Sequence, residues 1–327
     1  MSKYKNCRLC PRSCGVDRGA GARGFCGETA ELRLAYAGIH RGEEPPITGA
    51  GGSGTVFVSG CNLGCAFCQN FQVSRKGMGR VVSPEEFAEI CLTLKDKGAE
   101  NINIVTGSHA APALALGVEA ARKRGLSIPV LWNSSGYEAA ETLEILKDFI
   151  DVYLPDLKTM DSDLAARFFN APDYPEQAAA AILKMMEYRK LQLEPKQGAM
   201  VSGVMVRHLV IPGYLEATRQ VLRWFSENCA GNNRGSGRAL LSLMTQYTPV
   251  HIPDVKTRIP GSYVSDDEYE TVISMLEEFE IDDGFCQEHI TGSEWLPDFT
   301  RQNPFSSELS LPVWHWQCAF DLEQRDQ

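Results

Sequence analysis

The stretch SGCNLGCAFCQN, residues 59–70, places Cys61, Cys65 and Cys68 in the spacing Cys-x3-Cys-x2-Cys. It follows TVFV (55–58), a short β-branched run that predicts a strand. Thiolates select soft metals, chiefly zinc and iron–sulfur clusters. Three of them leave one position open, either on a tetrahedral zinc ion or on one iron of a 4Fe-4S cluster. The loop therefore predicts a metal site that can accept an external ligand.

The alternative reading of this loop is structural. Three cysteines at positions i, i+4 and i+7 could line one face of a helix as ordinary buried apolar side chains. Gly60 and Gly64 interrupt any such helix, and the loop comes directly after a predicted strand. The spacing and the glycines favour the metal site.

Outward from the loop, short apolar runs alternate with helical stretches. The predicted strands are TVFV (55–58), NINIV (101–105), IPVLW (128–132), DVYL (151–154), GVMVRHLVI (203–211) and ALLSL (239–243). Helices are predicted from Ser83 to Gly98, up to Gly125, around Glu138 to Phe149, in two pieces ending near Leu193, up to about Cys229, and from about Asp266 to Phe279. For the first helix, Ser83 predicts the N-cap, Pro84 the first turn and Glu86 a capping box.

Six strands separated by helices predict parallel βαβ units, arranged as a doubly wound open sheet or as an incomplete barrel of the TIM type. In both folds, reactive groups lie beyond the carboxyl ends of the strands. The segments at those ends are TGSH (106–109), NSSGYE (133–138), PDLK (155–158), IPG (211–213) and TQYTP (245–249). The tail from about 284 to 327, with Trp295, Trp314 and Trp316 among prolines, predicts an irregular cover.

Charge and hydropathy exclude two classes of partner. The chain has 327 residues with 32 basic and 42 acidic side chains, a formal net charge of −10, so a nucleic-acid partner is not expected. There is no long apolar run for a membrane span and none behind the N-terminal lysines, which predicts an unexported, cytoplasmic protein. Seven of the eleven cysteines precede residue 70. In a reducing compartment such clustering indicates metal rather than disulfides.

A second group of cysteines lies in CRLCPRSCGVDRGAGARGFCG. Its members are Cys7, Cys10, Cys14 and Cys26. Four thiolates can close a site completely, which suits structural zinc or a second iron–sulfur cluster. The alternative is a mobile segment with one or two reactive thiols. The four remaining cysteines are scattered and are expected to be buried: Cys91, Cys229, Cys286 and Cys318.

Taken with its aromatic Phe67, SGCNLGCAFCQN resembles the cluster-binding loop of the radical S-adenosylmethionine superfamily. The resemblance covers about residues 54–250, and the superfamily's partial (β/α)6 barrel agrees with the six strands. Within it the chain looks most like the group named after the pyruvate formate-lyase activating enzyme. The segments that carry this likeness in order are GCNLGCAFCQNFQVS, NINIVTGSHA, LWNSSGYE, VYLPDLK, VRHLVIPG and SLMTQYTP.

The resemblance implies that Cys61, Cys65 and Cys68 hold a catalytic 4Fe-4S cluster. S-adenosylmethionine would chelate the open iron, and its reductive cleavage would give methionine and a 5′-deoxyadenosyl radical that abstracts hydrogen from a substrate. A reductant such as flavodoxin or ferredoxin is expected to supply the electron. The protein's own task would be placement and exclusion of water.

The resemblance also implies a cofactor pocket. Where the superfamily commonly has Gly-Gly-Glu against the methionine amino group, this chain has Thr106, Gly107 and Ser108, whose carbonyls and hydroxyls can accept from an ammonium. Three roles are open for His109, the next residue: a ligand, a proton donor to the substrate, or a structural residue at the start of a helix.

Asp156 and Lys158 match an Asp-x-Lys of the glycyl-radical activases, where such residues line the cofactor pocket. The alternative is a surface ion pair without a role in binding. Arg207, inside a strand, needs an anion, for which the methionine carboxylate is a candidate. His208 points to the opposite side of that strand and is expected to be structural.

Two further pairs are expected at the pocket because of their place at strand ends. Asn133 and Ser134 follow the third strand, and Gln246 and Tyr247 end the sixth. For Tyr247 the alternative is a core residue with a solvated hydroxyl.

Three functions are consistent with these sequence features. The first is a glycyl-radical activase acting on a partner protein, and the second is the same chemistry on another protein residue or a small metabolite. The third is an iron–sulfur electron carrier or redox sensor. The expected organisation is a cysteine-rich segment (1–45), a partial barrel (46–260) and a C-terminal helix with a covering tail (261–327).

Overall fold

The computed structural model describes residues 2–231, 238–289, 291–293 and 295–322. The strands are β1 Leu32–His40, β2 Ser53–Val58, β3 Arg80–Val82, β4 Ile102–Val105, β5 Val130–Ser134, β6 Val152–Pro155, β7 Gln192–Leu193, β8 Met200–Leu209, β9 Leu240–Met244, β10 Gly284–Cys286 and β11 Ser310–His315. The helices are α1 Pro45–Thr48, α2 Phe71–Ser74, α3 Pro84–Asp96, α4 Ala111–Lys123, α5 Ala140–Leu146, α6 Ser162–Phe169, α7 Tyr174–Tyr188, α8 Leu215–Asn228 and α9 Asp266–Glu278. All six predicted strands and all the predicted helices form.

The strand order decides between the two predicted folds. It runs β10-β9-β8-β6-β5-β4-β2-β1-β11, and every pair from β2 to β10 along this path is parallel. A doubly wound sheet reverses its order at a switch point, whereas this order advances in one direction, as in a TIM-type barrel. The two ends of the path do not pair, so the sheet stays open. The predicted partial (β/α) barrel is confirmed.

Two clusters of the hydrophobic core lie on opposite faces of this sheet. The larger cluster packs the sheet against the helices and includes Trp132, Tyr153 and Val206. On the opposite face, Leu131 and Leu154 pack with Ile47 of α1. Side chains alternate between faces along a strand, which is why neighbours such as Leu131 and Trp132 belong to different clusters. The short α1 therefore packs on the face of the sheet opposite the larger cluster.

The cysteine-rich segment and the tail, which lie outside the six predicted strands, also contribute strands. β1 lies between β2 and β11 and pairs antiparallel with both. Its sequence LRLAYAGIH shows no period-2 alternation because its residues are buried on both faces. The cysteine-rich segment thus contributes β1 to the sheet, and β11 anchors the covering tail to it. Ile290, Glu294 and residues 323–327 of that tail lie outside the described residues.

The helix punctuation is largely as predicted. Ser83 caps α3, and its side chain accepts a hydrogen bond from the Glu86 backbone N–H at 3.1 Å. The Glu86 carboxylate does not complete the predicted capping box, because it accepts hydrogen bonds from Arg80 and from the Trp314 ring nitrogen instead. These tertiary hydrogen bonds replace the local one that the sequence predicts for Glu86. In the described part of the chain, no helix has the length and apolarity needed to cross a membrane.

Candidate active site at the three-cysteine loop

The loop after β2 is shaped by two glycines. Gly60 and Gly64 have φ of +85° and +84°, a left-handed conformation that glycine adopts without strain. A Cβ on Gly60 would lie 2.5 Å from Cγ of Glu28 and 2.8 Å from the carbonyl oxygen of Cys26. Residues 61–68 form no helix, so the alternative of a helical cysteine face is wrong.

The three thiols of this loop are free and half-buried. The backbone N–H of Leu63 donates to Cys61 Sγ at 3.4 Å, and the Ser74 hydroxyl lies 3.4 Å from Cys68 Sγ. Burial raises the pKa of Cys65 to about 12, and the other two thiols add to this, while Lys158 opposes it. Donors and a cation around sulfur stabilise thiolate charge.

These observations fit a cluster better than a single ion. In the described residues no three Cys, His, Asp or Glu side chains converge closely enough to hold one metal ion. A 4Fe-4S cluster is larger than one ion and takes its thiolates from farther apart. Cys61, Cys65 and Cys68 are the ligands that such a cluster would use, with one iron left open.

The Asp-x-Lys pair lies beside this loop. Lys158 Nζ donates to Asp156 Oδ2 at 2.6 Å, and both side chains are about four-fifths buried. Burial lowers the pKa of Lys158, but Asp156 and then Cys65 outweigh it, so the net pKa is raised. The Tyr174 hydroxyl accepts from the Lys158 backbone N–H at 3.0 Å and lies 2.8 Å from the Asp156 carbonyl oxygen. The pair is thereby held at a fixed position, charged, next to the cysteines.

The backbone brings the other strand-end residues together along one edge. Thr106 N donates to Asn133 O at 2.9 Å, and Asp156 N donates to Ser134 O at 2.9 Å. Leu157 N in turn donates to Arg207 O at 2.8 Å.

Thr106 has a φ of +62°. A β-branched residue rarely adopts this conformation, and such strain clusters at functional sites.

The TGSH segment is tied to a residue that sequence reasoning missed. The Ser108 hydroxyl donates to Glu138 Oε1 at 2.6 Å, and the Trp132 ring N–H donates to the same oxygen at 3.3 Å. Glu138 is buried, its Oε2 has no partner, and burial raises its pKa. A Cβ on Gly107 would lie 2.6 Å from the Trp132 ring, so this glycine backs onto the core. A buried carboxylate from the neighbouring strand end, in NSSGYE, therefore lies against TGSH.

His109 connects the loop to the N-terminal segment. Its Nε2 lies 2.7 Å from the Ser59 carbonyl oxygen, and its own carbonyl accepts from Arg18 at 2.6 Å. Burial lowers the pKa of His109 to about 4, so the ring is neutral near pH 7 and Nε2 donates to Ser59. His109 lies in a short 3-10 turn before α4.

Arg207 already has two anions within the chain. Its Nη2 lies 2.8 Å from Glu43 Oε2, and its Nε lies 2.8 Å from Glu44 Oε1. Burial raises the pKa of Glu44, but Arg207 outweighs it and the net pKa is lowered. Glu43 and Glu44 were not singled out from the sequence, where the signal was two acids directly before Pro45 at a helix start. The role of Arg207 towards a ligand stays a prediction.

The remaining predicted residues have structural partners. His208 contacts the Leu157 carbonyl oxygen at 2.7 Å and the Thr218 hydroxyl at 3.0 Å, on the face of β8 opposite Arg207. Tyr247 is buried, donates to the Pro260 carbonyl at 3.0 Å and packs edge-on to Phe67 at 5.2 Å. The Gln246 side chain accepts a hydrogen bond from Gln287. Tyr247 therefore packs against the three-cysteine loop through Phe67.

A cavity of about 550 Å³ opens beside Cys61. Residues of the three-cysteine loop line it together with Arg167 of α6, Asp254 and Lys256. Cys26 also lines this cavity. This cavity gives a route from solvent to the three-cysteine loop.

The other cysteines divide by exposure. Cys7 and Cys10 are buried, and Cys14 and Cys26 are half-buried. Cys91 and Cys229 are buried as expected, whereas Cys318 is half-buried. Cys286 is exposed because it lies at the sheet's edge in β10, so the expectation of burial was wrong for it.

Comparison with known proteins identifies a family. Residues 55–225, more than half of the chain, match the Radical SAM superfamily. An uncharacterized protein of Methanocaldococcus jannaschii is 28% identical over 291 residues, which cover 85% of this chain and 76% of that protein.

Similar solved structures are more distant. Streptococcus suis SuiB bound to S-adenosylmethionine has a TM-score of 0.47 and 14% identity, over 69% of this chain and 48% of SuiB. A domain of pyruvate-formate lyase-activating enzyme from Bacteroides vulgatus has a TM-score of 0.37 and 15% identity, over 54% of this chain and 91% of that domain. Methylornithine synthase (PylB) has a TM-score of 0.45 and 15% identity, over 83% of this chain and 77% of PylB. This chain therefore spans about half the length of SuiB.

Proposed function

Because the chain belongs to the radical SAM superfamily, we propose that it is an oxidoreductase of the pyruvate formate-lyase activating-enzyme type, which removes a Cα hydrogen atom from a glycine of a partner protein. Cys61, Cys65 and Cys68 would hold the 4Fe-4S cluster and leave one iron for S-adenosylmethionine. The cluster and S-adenosylmethionine supply the one-electron chemistry. The ordered segments from GCNLGCAFCQNFQVS to SLMTQYTP support this subgroup.

The observation that carries the choice of a protein substrate is the exposed rim of the cavity beside Cys61. Phe25, Arg75, Arg167 and Lys256 line it and are exposed. Small metabolites are usually held in pockets that bury most of their surface. An open rim of aromatic and arginine side chains suits a loop of another protein, because these residue types are enriched in protein interfaces.

We propose that the strand-end residues form the cofactor pocket: Thr106, Gly107, Ser108, Asn133, Ser134, Asp156, Lys158, Arg207, Gln246 and Tyr247. Asp156 and Lys158 offer an acceptor and a cation directly beside Cys65. Ser108 acts through Glu138 and Arg207 through its two glutamates, while Tyr247 positions Phe67. These side chains orient the ligand and keep water from the reacting centre.

The rim also bears on the electron donor. It carries Arg75, Arg167 and Lys256 against a single acid, Asp254, although the whole chain has a net charge of −10. A positive patch beside the loop attracts an acidic partner and speeds its association. We propose a small acidic reductant of the flavodoxin or ferredoxin kind. The division into residues 1–45, 46–260 and 261–327 is part of the same proposal.

The test begins with cleavage of S-adenosylmethionine. The reconstituted protein, reduced without oxygen, is expected to release 5′-deoxyadenosine and methionine. The matched variants are Cys65→Ala, which should release none, and Cys286→Ser, which removes an exposed thiol and should behave as the wild type. If the wild type and Cys65→Ala released equal amounts, or if neither released any, the proposed enzyme activity would be rejected. The remaining function would then be an iron–sulfur electron carrier or redox sensor.

The second stage tests the substrate. A glycyl-radical enzyme from the same organism, labelled with deuterium at glycine, is expected to transfer deuterium into 5′-deoxyadenosine and to show a glycine-centred radical by electron paramagnetic resonance. Cleavage without transfer from any such partner would contradict the glycyl-radical proposal and indicate another protein residue or a metabolite.

A further inference from the structure

The four N-terminal cysteines are gathered by a tightly folded backbone. Cys7 N donates to Val16 O at 3.1 Å, and Ser13 N donates to Cys10 O at 3.0 Å. The Phe25 N–H donates to Cys14 Sγ at 3.4 Å, which joins the turn before Cys26 to the Cys7–Cys14 loop. All four thiols therefore lie in one small unit.

The unit has little apolar core of its own. Its buried cluster consists of Tyr4, Cys7 and Leu9, with Ile145 of α5 packed partly against it. Segments of this size usually need a metal or a disulfide to fix their fold. The cysteines in it are free.

A buried cation lies against these thiols. Arg18 is 1% exposed, and its Nη1 lies 3.7 Å from Cys7 Sγ. Its other hydrogen bonds go to the backbone carbonyl oxygens of Glu28 at 3.0 Å, Thr29 at 2.5 Å and His109 at 2.6 Å. Among the described residues no carboxylate lies within ion-pair distance of Arg18. The Glu28 carboxylate is near enough to interact with its charge, but its ion pairs are with Arg23 and Arg33.

A guanidinium stays charged in proteins, and a buried charge needs a compensating one. Neutral thiols do not provide it. Four thiolates on a divalent metal or on a 4Fe-4S cluster carry a net negative charge, and N–H donors to their sulfurs are a regular part of such sites. The contact of Arg18 with Cys7 has this arrangement.

We propose that Cys7, Cys10, Cys14 and Cys26 form a second metal centre, an iron–sulfur cluster held by four thiolates, with Arg18 as its buried counter-charge. A single zinc ion fits less well, because no three metal-binding side chains among the described residues converge on one ion. The alternative of a mobile segment with reactive thiols fits less well, because reactive cysteines are exposed whereas Cys7 and Cys10 are buried. A site with four protein ligands is closed to external molecules.

The centre would also fix the wall of the first site. Arg12, between Cys10 and Cys14, donates to the carbonyl oxygens of Asn62 and Leu63, both at 2.9 Å. The unit that carries the four thiols therefore holds the backbone of the three-cysteine loop.

Metal analysis of a Cys61→Ala/Cys65→Ala/Cys68→Ala variant tests the proposal without the first site. After loading with iron, sulfide and zinc and removal of unbound metal, about one iron–sulfur cluster per chain is expected to remain. Element ratios and the visible spectrum distinguish a cluster from bound zinc, and zinc without iron would contradict the cluster. Adding Cys10→Ser and Cys14→Ser should remove it, and adding Cys286→Ser should not. A triple variant that keeps neither metal would overturn the proposal, as would metal that survives the added serines.

Alkylation of the triple variant gives a readout that needs no further substitution. Cys14 and Cys26 are half-buried and accessible, so they are expected to be protected in the loaded protein and labelled after chelation. Equal labelling in both states would contradict a four-thiolate centre. Either failure leaves the three-cysteine loop and its proposed chemistry untouched, because release of 5′-deoxyadenosine by the wild type is measured separately.

Discussion

Lys158 donates a hydrogen bond to the Asp156 carboxylate across 2.6 Å, two residues along the chain and beside Cys65. The two charges neutralise each other at the end of β6, where the backbone of Arg207 pairs with that of Asp156. A ligand that enters here meets both an acceptor and a cation at fixed positions. This relationship links the sheet to the cysteine loop.

We expect Lys158→Met to weaken S-adenosylmethionine binding about tenfold to a hundredfold, the value of one hydrogen bond to a charged group. The measurement is equilibrium binding to the reconstituted protein. Lys123→Met is the matched control, since Lys123 forms an exposed pair with Glu119 one helical turn away. If Lys158→Met bound S-adenosylmethionine as tightly as the wild type, Asp156 and Lys158 would not be part of the cofactor pocket.

Gly60→Ala is expected to lower the iron content of the reconstituted protein by half or more. The added Cβ would meet Glu28 and the backbone of Cys26, so the loop must shift. Gly125→Ala controls for conformational strain, because Gly125 also has a positive φ of +99° but has nothing within 4 Å of a built Cβ. Equal iron in the two variants would show that the close approach at Gly60 is unimportant.

Thr106→Gly is expected to raise the free energy of unfolding by about 1 kcal/mol, because relief of left-handed strain exceeds the entropic cost of glycine. It should also reduce release of 5′-deoxyadenosine, since the hydroxyl is lost. Thr106→Ala keeps the strained Cβ and removes only the hydroxyl, so it should lose activity without gaining stability. Denaturant unfolding and product assays separate the effects, and full activity in both variants would contradict a role for the hydroxyl.

His208 predicts a dependence of stability on pH. Burial lowers its pKa from 6.5 to about 4, although the Leu157 carbonyl opposes this. Between these values the unfolded chain binds more protons than the folded one, so stability falls as pH falls from about 6.5 to 4, by up to about 3 kcal/mol.

Denaturant midpoints measured from pH 7 to pH 4.5 check this expectation. His208→Gln should lower stability at pH 7 and show a smaller loss on acidification than the wild type. His251→Gln, at an exposed position, should keep the wild-type slope. A wild-type slope in His208→Gln would assign the acid sensitivity to other groups.

Local sequence was sufficient where the determinants are close in the chain. The spacing of Cys61, Cys65 and Cys68 and the glycines between them are local, as are the caps and apolar faces of the βα units. The strand β1 was missed because burial on both faces removes the alternation that marks a strand. The Glu86 carboxylate does not form the predicted capping box. It accepts a hydrogen bond from the ring nitrogen of Trp314, which is 228 residues away in the chain.

By itself, then, the sequence determined a parallel α/β fold, a metal-binding loop with one open position and the strand ends at which the site is built. Only the tertiary structure decided which side chains meet there. Arg207 pairs with Glu43 across 164 residues, Ser108 with Glu138 across 30, and Arg18 with Cys7 inside a separate unit. Periodicity records which face of an element is buried, whereas the choice of a charge's partner depends on how distant elements pack, since a buried charge takes the compensating group that folding brings within reach.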